Sequence, residues 1–82
     1  MEFWCLVKEY YDYSTYENDV TVLHYKDKED GVERFREYLK MYIDTYELYP
    51  DEYSYDIEED FYCFSYSDAD IEINISLEQI IL

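Results

Sequence analysis

Glycine, proline and basic side chains are almost missing from this chain: Gly31 and Pro50 stand alone among 82 residues, and six Lys and Arg face 22 Asp and Glu. A single glycine excludes the glycine-rich loops that cradle phosphate groups. So few breakers also leave most of the chain to regular elements. The formal charge is −16, and the positive footprint by which proteins hold DNA or RNA is missing, so nucleic acid is disfavoured outright as a direct partner. No apolar run approaches the ~18 residues of a membrane span. The run in residues 1–8 is too short for a signal-peptide core and follows Glu2 rather than a basic segment. Cys5 and Cys63 have no metal-ligand spacing and read as reduced, partly buried thiols, with a cross-strand disulfide as the alternative.

Catalytic patterns are equally scarce. His24 is the only histidine and reads as a strand residue rather than a base or ligand. Neither a Ser–His–Asp nor a Cys–His constellation is present. A paired-carboxylate hydrolase needs a pocket of some depth at a defined carboxyl separation, and a chain this small has little depth to give. The run Asp68-Ala69-Asp70-Ile71-Glu72 alternates acids but lacks the glycine turn and closing acid of a calcium loop. The expectation is a protein without catalytic residues, cofactor or dedicated metal.

What the chain does have is tyrosine, 13 of them within an aromatic fraction of 22%. Tyrosine joins an apolar body to a polar tip and suits places that are dry at one end and wet at the other. That aromatic content, together with clear periodicity, argues for a folded domain despite a charge that opposes compaction. A chain of this length forms one domain, 1–82, and buries only about 60–65% of its unfolded surface.

In order along the chain, residues 2–11 predict a strand, with Phe3, Cys5 and Val7 on one face and Trp4, Leu6 and Tyr10 on the other. Apolar groups on both faces place it centrally. Residues 12–19 suit a turn or wide hairpin loop, and residues 20–26 a second strand paired antiparallel to the first. The period then changes. Val32, Phe35, Leu39, Tyr42, Ile43 and Tyr46 recur at three and four residues, which predicts a helix over 29–47. Either Asp30 with Glu33 or Asp27 with Asp30 opens it, and Pro50 follows its end. On its outer face Arg36 stands three from Glu33, and Lys40 three from Glu37 and four from Asp44, so the helix is expected to compensate its own charge. Residues 53–57 are ambiguous for a short strand, residues 60–67 firmer. Ile71, Ile73, Ile75 and Leu77 alternate with Glu72, Asn74, Ser76 and Glu78 in the cleanest strand pattern of all. Ile80, Ile81 and Leu82 form an apolar tail that must pack or cover an edge. The fold expected is α+β, an antiparallel sheet of about four strands with one helix on a face, in the order ββα(β)ββ.

The charge is not spread evenly. Residues 1–40 carry all six bases and ten of the 22 acids, while residues 41–82 carry the other twelve and no base. Its densest part is 44–60, where carboxylates interleave with tyrosines. Candidate partner-binding residues are Asp44, Glu47, Tyr49, Asp51, Glu52, Tyr53, Tyr55, Asp56, Glu58, Glu59 and Asp60, with Asp70 and Glu72 extending them into one negative rim. Carboxylates at i and i+2 of a strand stand about 6.7 Å apart, close to the spacing of phosphates along a nucleic-acid strand. Tyrosines among them add rigid contact area at low entropy cost. The bland alternative is that these acids only solvate a small aromatic domain.

In size, charge, tyrosine content and sheet-plus-helix plan, and in Asp51, Glu52, Asp56, Glu58, Glu59 and Asp60, the chain resembles the small acidic inhibitors of phages and mobile elements that mimic nucleic acid. These include anti-CRISPR proteins, anti-restriction proteins and uracil-DNA glycosylase inhibitors. The resemblance is one of type and rests on no family motif. It implies a non-catalytic protein that occupies the basic nucleic-acid-binding groove of a Cas nuclease or similar effector, in the cytoplasm, that of the host cell if phage-encoded. The alternatives are an immunity protein or antitoxin capping a basic toxin nuclease, and a small structural or adaptor domain contacted through 71–77 or the C-terminal tail.

Overall fold

The computed structural model describes all 82 residues. Five strands and one helix follow in the order β1 (Glu2–Asp12), β2 (Glu17–Tyr25), α1 (Lys28–Tyr46), β3 (Ser54–Ile57), β4 (Phe61–Ser67) and β5 (Ile71–Ile81). The strands form one antiparallel sheet in spatial order β2-β1-β5-β4-β3. The α+β plan agrees with the expectation. The sheet has five strands rather than about four, because the ambiguous segment pairs with β4 from Ser54↔Ser65 to Ile57↔Tyr62.

The central pair is formed by the two ends of the chain. β1 and β5 align over eleven residues, Glu2↔Ile81 to Asp12↔Ile71, and the Leu82 N–H donates to the Met1 carbonyl at 2.8 Å. The apolar tail neither packs into the core nor covers an edge: Ile80 and Ile81 prolong the central β5 opposite Phe3 and Glu2, and Ile81 and Leu82 stay 69% and 78% exposed. β2 likewise begins earlier than its propensity suggests, at Glu17. The β1–β2 turn shrinks to 13–16, held by the Asp12 carboxylate, which accepts from the Ser14 N–H at 2.9 Å and its hydroxyl at 2.6 Å. Tyr16 closes that turn in the left-handed region, φ 60°.

Alternation decides the faces. Trp4, Leu6, Tyr62, Phe64, Ile71, Ile73, Ile75 and Leu77 turn to one side of the sheet, and Phe35, Leu39 and Tyr42 of α1 cover them. Every second residue of a strand shares a face, so an alternating sequence buries half of itself under one helix. The helix approaches closely where it has no side chain. A Cβ on Gly31 would stand 3.0 Å from Leu77 Cδ1, so glycine here sets the spacing of helix and sheet. Because Ile71–Leu77 points its apolar side into this core, that row is closed to a partner.

Lys8 is buried within the same face, 8% exposed. Its stem lies among Ile75, Thr21 and the helix tyrosines, and its ammonium bonds Asp19 at 3.0 Å above the Tyr38 ring at 5.0 Å. Burial alone would lower its pKa. The hydrogen bond it donates to Asp19 and the negative surroundings outweigh burial, so the pKa rises above the ordinary 10.5.

The helix ends against electrostatic preference. Asp27 occupies the N-cap position without a side-chain capping bond, so neither capping box forms. The last turn holds no base, although the C-terminal end of a helix dipole favours cations. Glu47 follows in the left-handed conformation, φ 53° and ψ 50°, and the Leu48 N–H returns to the Ile43 carbonyl at 3.0 Å. That is a Schellman-type closure with glutamate where glycine is favoured. On the outer face the ion pair formed is Arg34–Glu37 at 3.5 Å. The expected pairs of Arg36 and Lys40 stay open, because exposed long side chains gain too little from pairing to hold one geometry.

Candidate functional site: a sheet face without lysine or arginine and its rim

The side of the sheet away from α1 is uncovered. Its strand positions hold Glu9, Asp56, Glu72 and Glu78 and no lysine or arginine. Five of the six bases lie on or just before α1, and Lys8 points up beneath the helix. Folding therefore converts a sequence asymmetry into a spatial one: the bases gather in the helix layer, where Glu29, Asp30, Glu33 and Glu37 accompany them, and the open sheet face is left with acids and no lysine or arginine.

The predicted residues divide between the two ends of the sheet. Asp44 and Glu47 at the close of α1, Asp51 and Glu52 in the turn before β3, and Asp70 and Glu72 at the start of β5 share one end. Glu58, Glu59 and Asp60 form the β3–β4 turn at the other, where the Lys28 ammonium donates to the Glu59 carbonyl at 2.9 Å. Between them lies β3, four residues or about 13 Å of strand, with Asp56 on the open face opposite Cys63. Asp56 and the burial of Cys63 together raise that thiol's pKa, burial being the larger cause. The strand spacing expected for Glu58 with Asp60 and for Asp70 with Glu72 does not apply, since Glu58, Asp60 and Asp70 all sit in turns.

The tyrosines sort differently. Tyr49 is exposed, 68%, and its N–H donates to Glu52 Oε1 at 3.2 Å. Tyr53 packs on Phe64 with ring centres 5.1 Å apart, and Tyr55 stacks on Phe35 at 6.2 Å. Both belong to the margin of the core, although Tyr55 keeps 40% of its surface exposed.

At the helix-end rim two carboxylates, Asp68 and Glu72, are held by several hydrogen bonds each. Tyr66 Oη donates to Asp68 Oδ2 at 2.6 Å, while Asp68 Oδ1 accepts the N–H groups of Asp70 at 2.7 Å and Ile71 at 2.8 Å. Tyr13 Oη donates to Glu72 Oε2 at 2.6 Å, and Asn74 Nδ2 to its other oxygen at 3.2 Å. Hydrogen bonds to an ionised carboxylate favour that form. The Tyr66 hydroxyl thus holds Asp68 below the usual range, the Tyr13 hydroxyl does so for Glu72, and the Ser14 hydroxyl for Asp12. In return the Asp68 bond pushes Tyr66 up to about 12.

Beside them a shallow polar depression of about 270 Å³ runs over Ser54, Ser65 and Asn74 between Glu52 and Glu72. No group of three or more His, Cys, Asp or Glu side chains is arranged to hold a metal ion. Cys5 and Cys63 are both free thiols on strands separated by β5, two inter-strand steps or about 9.6 Å apart, beyond disulfide reach.

Sequence reasoning missed Asp12 and Glu9 and did not give Asp68 a place in the rim. Asp12 carried a readable signal, an aspartate two residues before serine in a turn-rich segment. Glu9 and Glu78 carried none, because their common face exists only once β1 and β5 pair. The fold and surface define a small acidic two-layer α+β domain with an uncovered antiparallel sheet. Comparison of the chain with protein-family models, with curated proteins and with solved structures finds no match.

Proposed function

We propose that the protein is a non-catalytic inhibitor that occupies the basic nucleic-acid-binding surface of a nuclease or similar effector, presenting carboxylates where the effector expects phosphates. An anti-defence protein of the anti-CRISPR kind, acting in the host cytoplasm, fits this reading best. The observation that carries it is the distribution of charge: an open sheet face without lysine or arginine, bordered by two carboxylates, Asp68 and Glu72, that Tyr13, Tyr66 and backbone N–H groups hold in place. Pre-positioned anions lose less entropy on binding than free side chains do, and complementary potentials accelerate encounter with a basic groove.

The test is capture of partners from host lysate at low and at high salt, then competition of each captured effector against duplex nucleic acid. Inhibition should be competitive with nucleic acid and weaken steeply with salt. Charge reversal of Asp51, Glu52, Asp68 and Asp70, or of Glu58, Glu59 and Asp60, should weaken binding at least about tenfold, while reversal of Glu33 and Glu37 on α1 does little. Equal losses from the rim and helix sets, or inhibition indifferent to salt, would overturn the proposal.

A further inference from the structure

Half of the open face is not acidic but apolar. On its β1–β2 side Val7 lies opposite Val22 and Glu9 opposite Val20, and the two β2 valines are 55% and 52% exposed. Phe3 and Cys5 continue the strip, with Phe3 set edge-on to His24 at 5.3 Å between ring centres. Nothing in the chain covers it, because the only helix lies on the other side of the sheet. A solvated antiparallel face normally alternates to polar residues, and valine at an exposed edge strand invites association. Around this strip stand Glu9 and Glu78, with Glu72 and Asp56 further across.

We infer that this face is a docking surface for a basic amphipathic helix of the partner. The helix lays its apolar stripe on Val7, Val20 and Val22 and directs flanking lysines or arginines to Glu9, Glu78 and Glu72. Charge complementarity selects the occupant. A second copy of this chain would bring another −16 to a face that has no lysine or arginine to meet it. A helix is the element that completes an open sheet face, as α1 does on the opposite side. The inference rests on the basic-partner reading and divides its labour: the rim carboxylates steer the encounter, and the valine strip slows dissociation.

The probes are two helical peptides of about 18 residues, five turns, with the same lysines on one face and either leucine or alanine on the other. Anisotropy gives their affinities and amide chemical shifts their location. Both should bind and weaken with salt. The leucine peptide should bind about tenfold tighter, with shifts on β1 and β2. The double variant Val20→Ser, Val22→Ser should erase that preference while keeping the far-UV spectrum and the binding of the alanine peptide. Equal affinity of the two peptides overturns the inference but leaves the basic-partner reading standing, as does a preference that survives the valine substitutions. Shifts confined to α1 or β3, or sedimentation showing that the valine strip pairs two copies of the chain, overturn it too. If neither peptide binds, both readings fall.

Discussion

Glu47 ends α1 at φ 53° and ψ 50° with no base in the preceding turn, and it combines two unfavourable choices that Glu47→Gly removes together. A residue with a side chain in the left-handed region costs about 1–2 kcal/mol. Glycine gives back roughly 0.5–1 kcal/mol through the greater freedom of the unfolded chain, so the conformational gain is about 0.5–1 kcal/mol. A negative charge at the negative end of a helix dipole costs a further ~0.3–1 kcal/mol at low ionic strength. The expected stabilisation is about 1–2 kcal/mol, and each kcal/mol shifts the melting temperature of a domain this size by about 4–8 °C. Thermal unfolding followed by circular dichroism at low and high salt separates the contributions when Glu47→Gln is measured alongside. The glutamine variant retains the strained conformation and gains only the charge term, which salt should remove. The glycine variant should keep roughly 0.5–1 kcal/mol of its gain in high salt. If glycine proves no more stable than glutamine there, the left-handed closure at Glu47 carries no strain and the reasoning fails. Because Glu47 belongs to the acidic rim, a glutamate there gives up stability for charge on that surface.

Further expectations concern charge and titration. Raising salt from zero to about 0.3 M at neutral pH should raise the melting temperature, since a net charge of −16 repels itself and salt screens it; a flat or falling curve would contradict strong self-repulsion. Lowering pH from 7 toward the isoelectric point near 4.1 should first stabilise by the same route. Asp12, Asp68 and Glu72 have lowered pKa values, so their contribution is present above the ordinary carboxylate range and lost as pH falls through the folded values. A stability maximum near the isoelectric point is therefore expected, and a monotonic decline from pH 7 would refute it. At the alkaline end Lys8, Tyr10, Tyr13, Tyr42 and Tyr66 all have raised pKa values. Their contributions are complete below the unfolded values near 10 and lost as pH rises through the folded ones. Unfolding should set in above about pH 10, and Tyr66→Phe, which removes one of these titrations, should flatten the fall. Finally, Lys8→Met should change stability by less than about 1.5 kcal/mol in urea denaturation, because the Asp19 side chain it abandons is 60% exposed. Lys8→Ala should cost about 2–4 kcal/mol from the cavity left beneath α1. Equal losses would place the value of Lys8 in its charge rather than its stem.

Periodicity is a local property, and what it governs was legible in the residues. The spacing from Val32 to Tyr46 defines α1 to within a residue at each end. The alternation from Ile71 to Leu77 assigns core and solvent sides of β5 correctly, and the excess of acids after residue 40 was plain before any fold was known. Other features depended on partners distant in sequence. Ser54–Ile57 is too short to declare itself, and becomes a strand because β4 offers a register and Phe35 a ring for Tyr55. Ile80 and Ile81 join β5 because Glu2 and Phe3 receive them across almost the whole chain length. The 44–60 tract shows the division most clearly. Its composition is a matter of sequence, but its separation into two ends of a sheet follows from the topology that runs α1 one way and β3 back. The face without lysine or arginine exists only because β1 and β5, the first and last strands, lie side by side at the centre, and no local pattern encodes a neighbour seventy residues away.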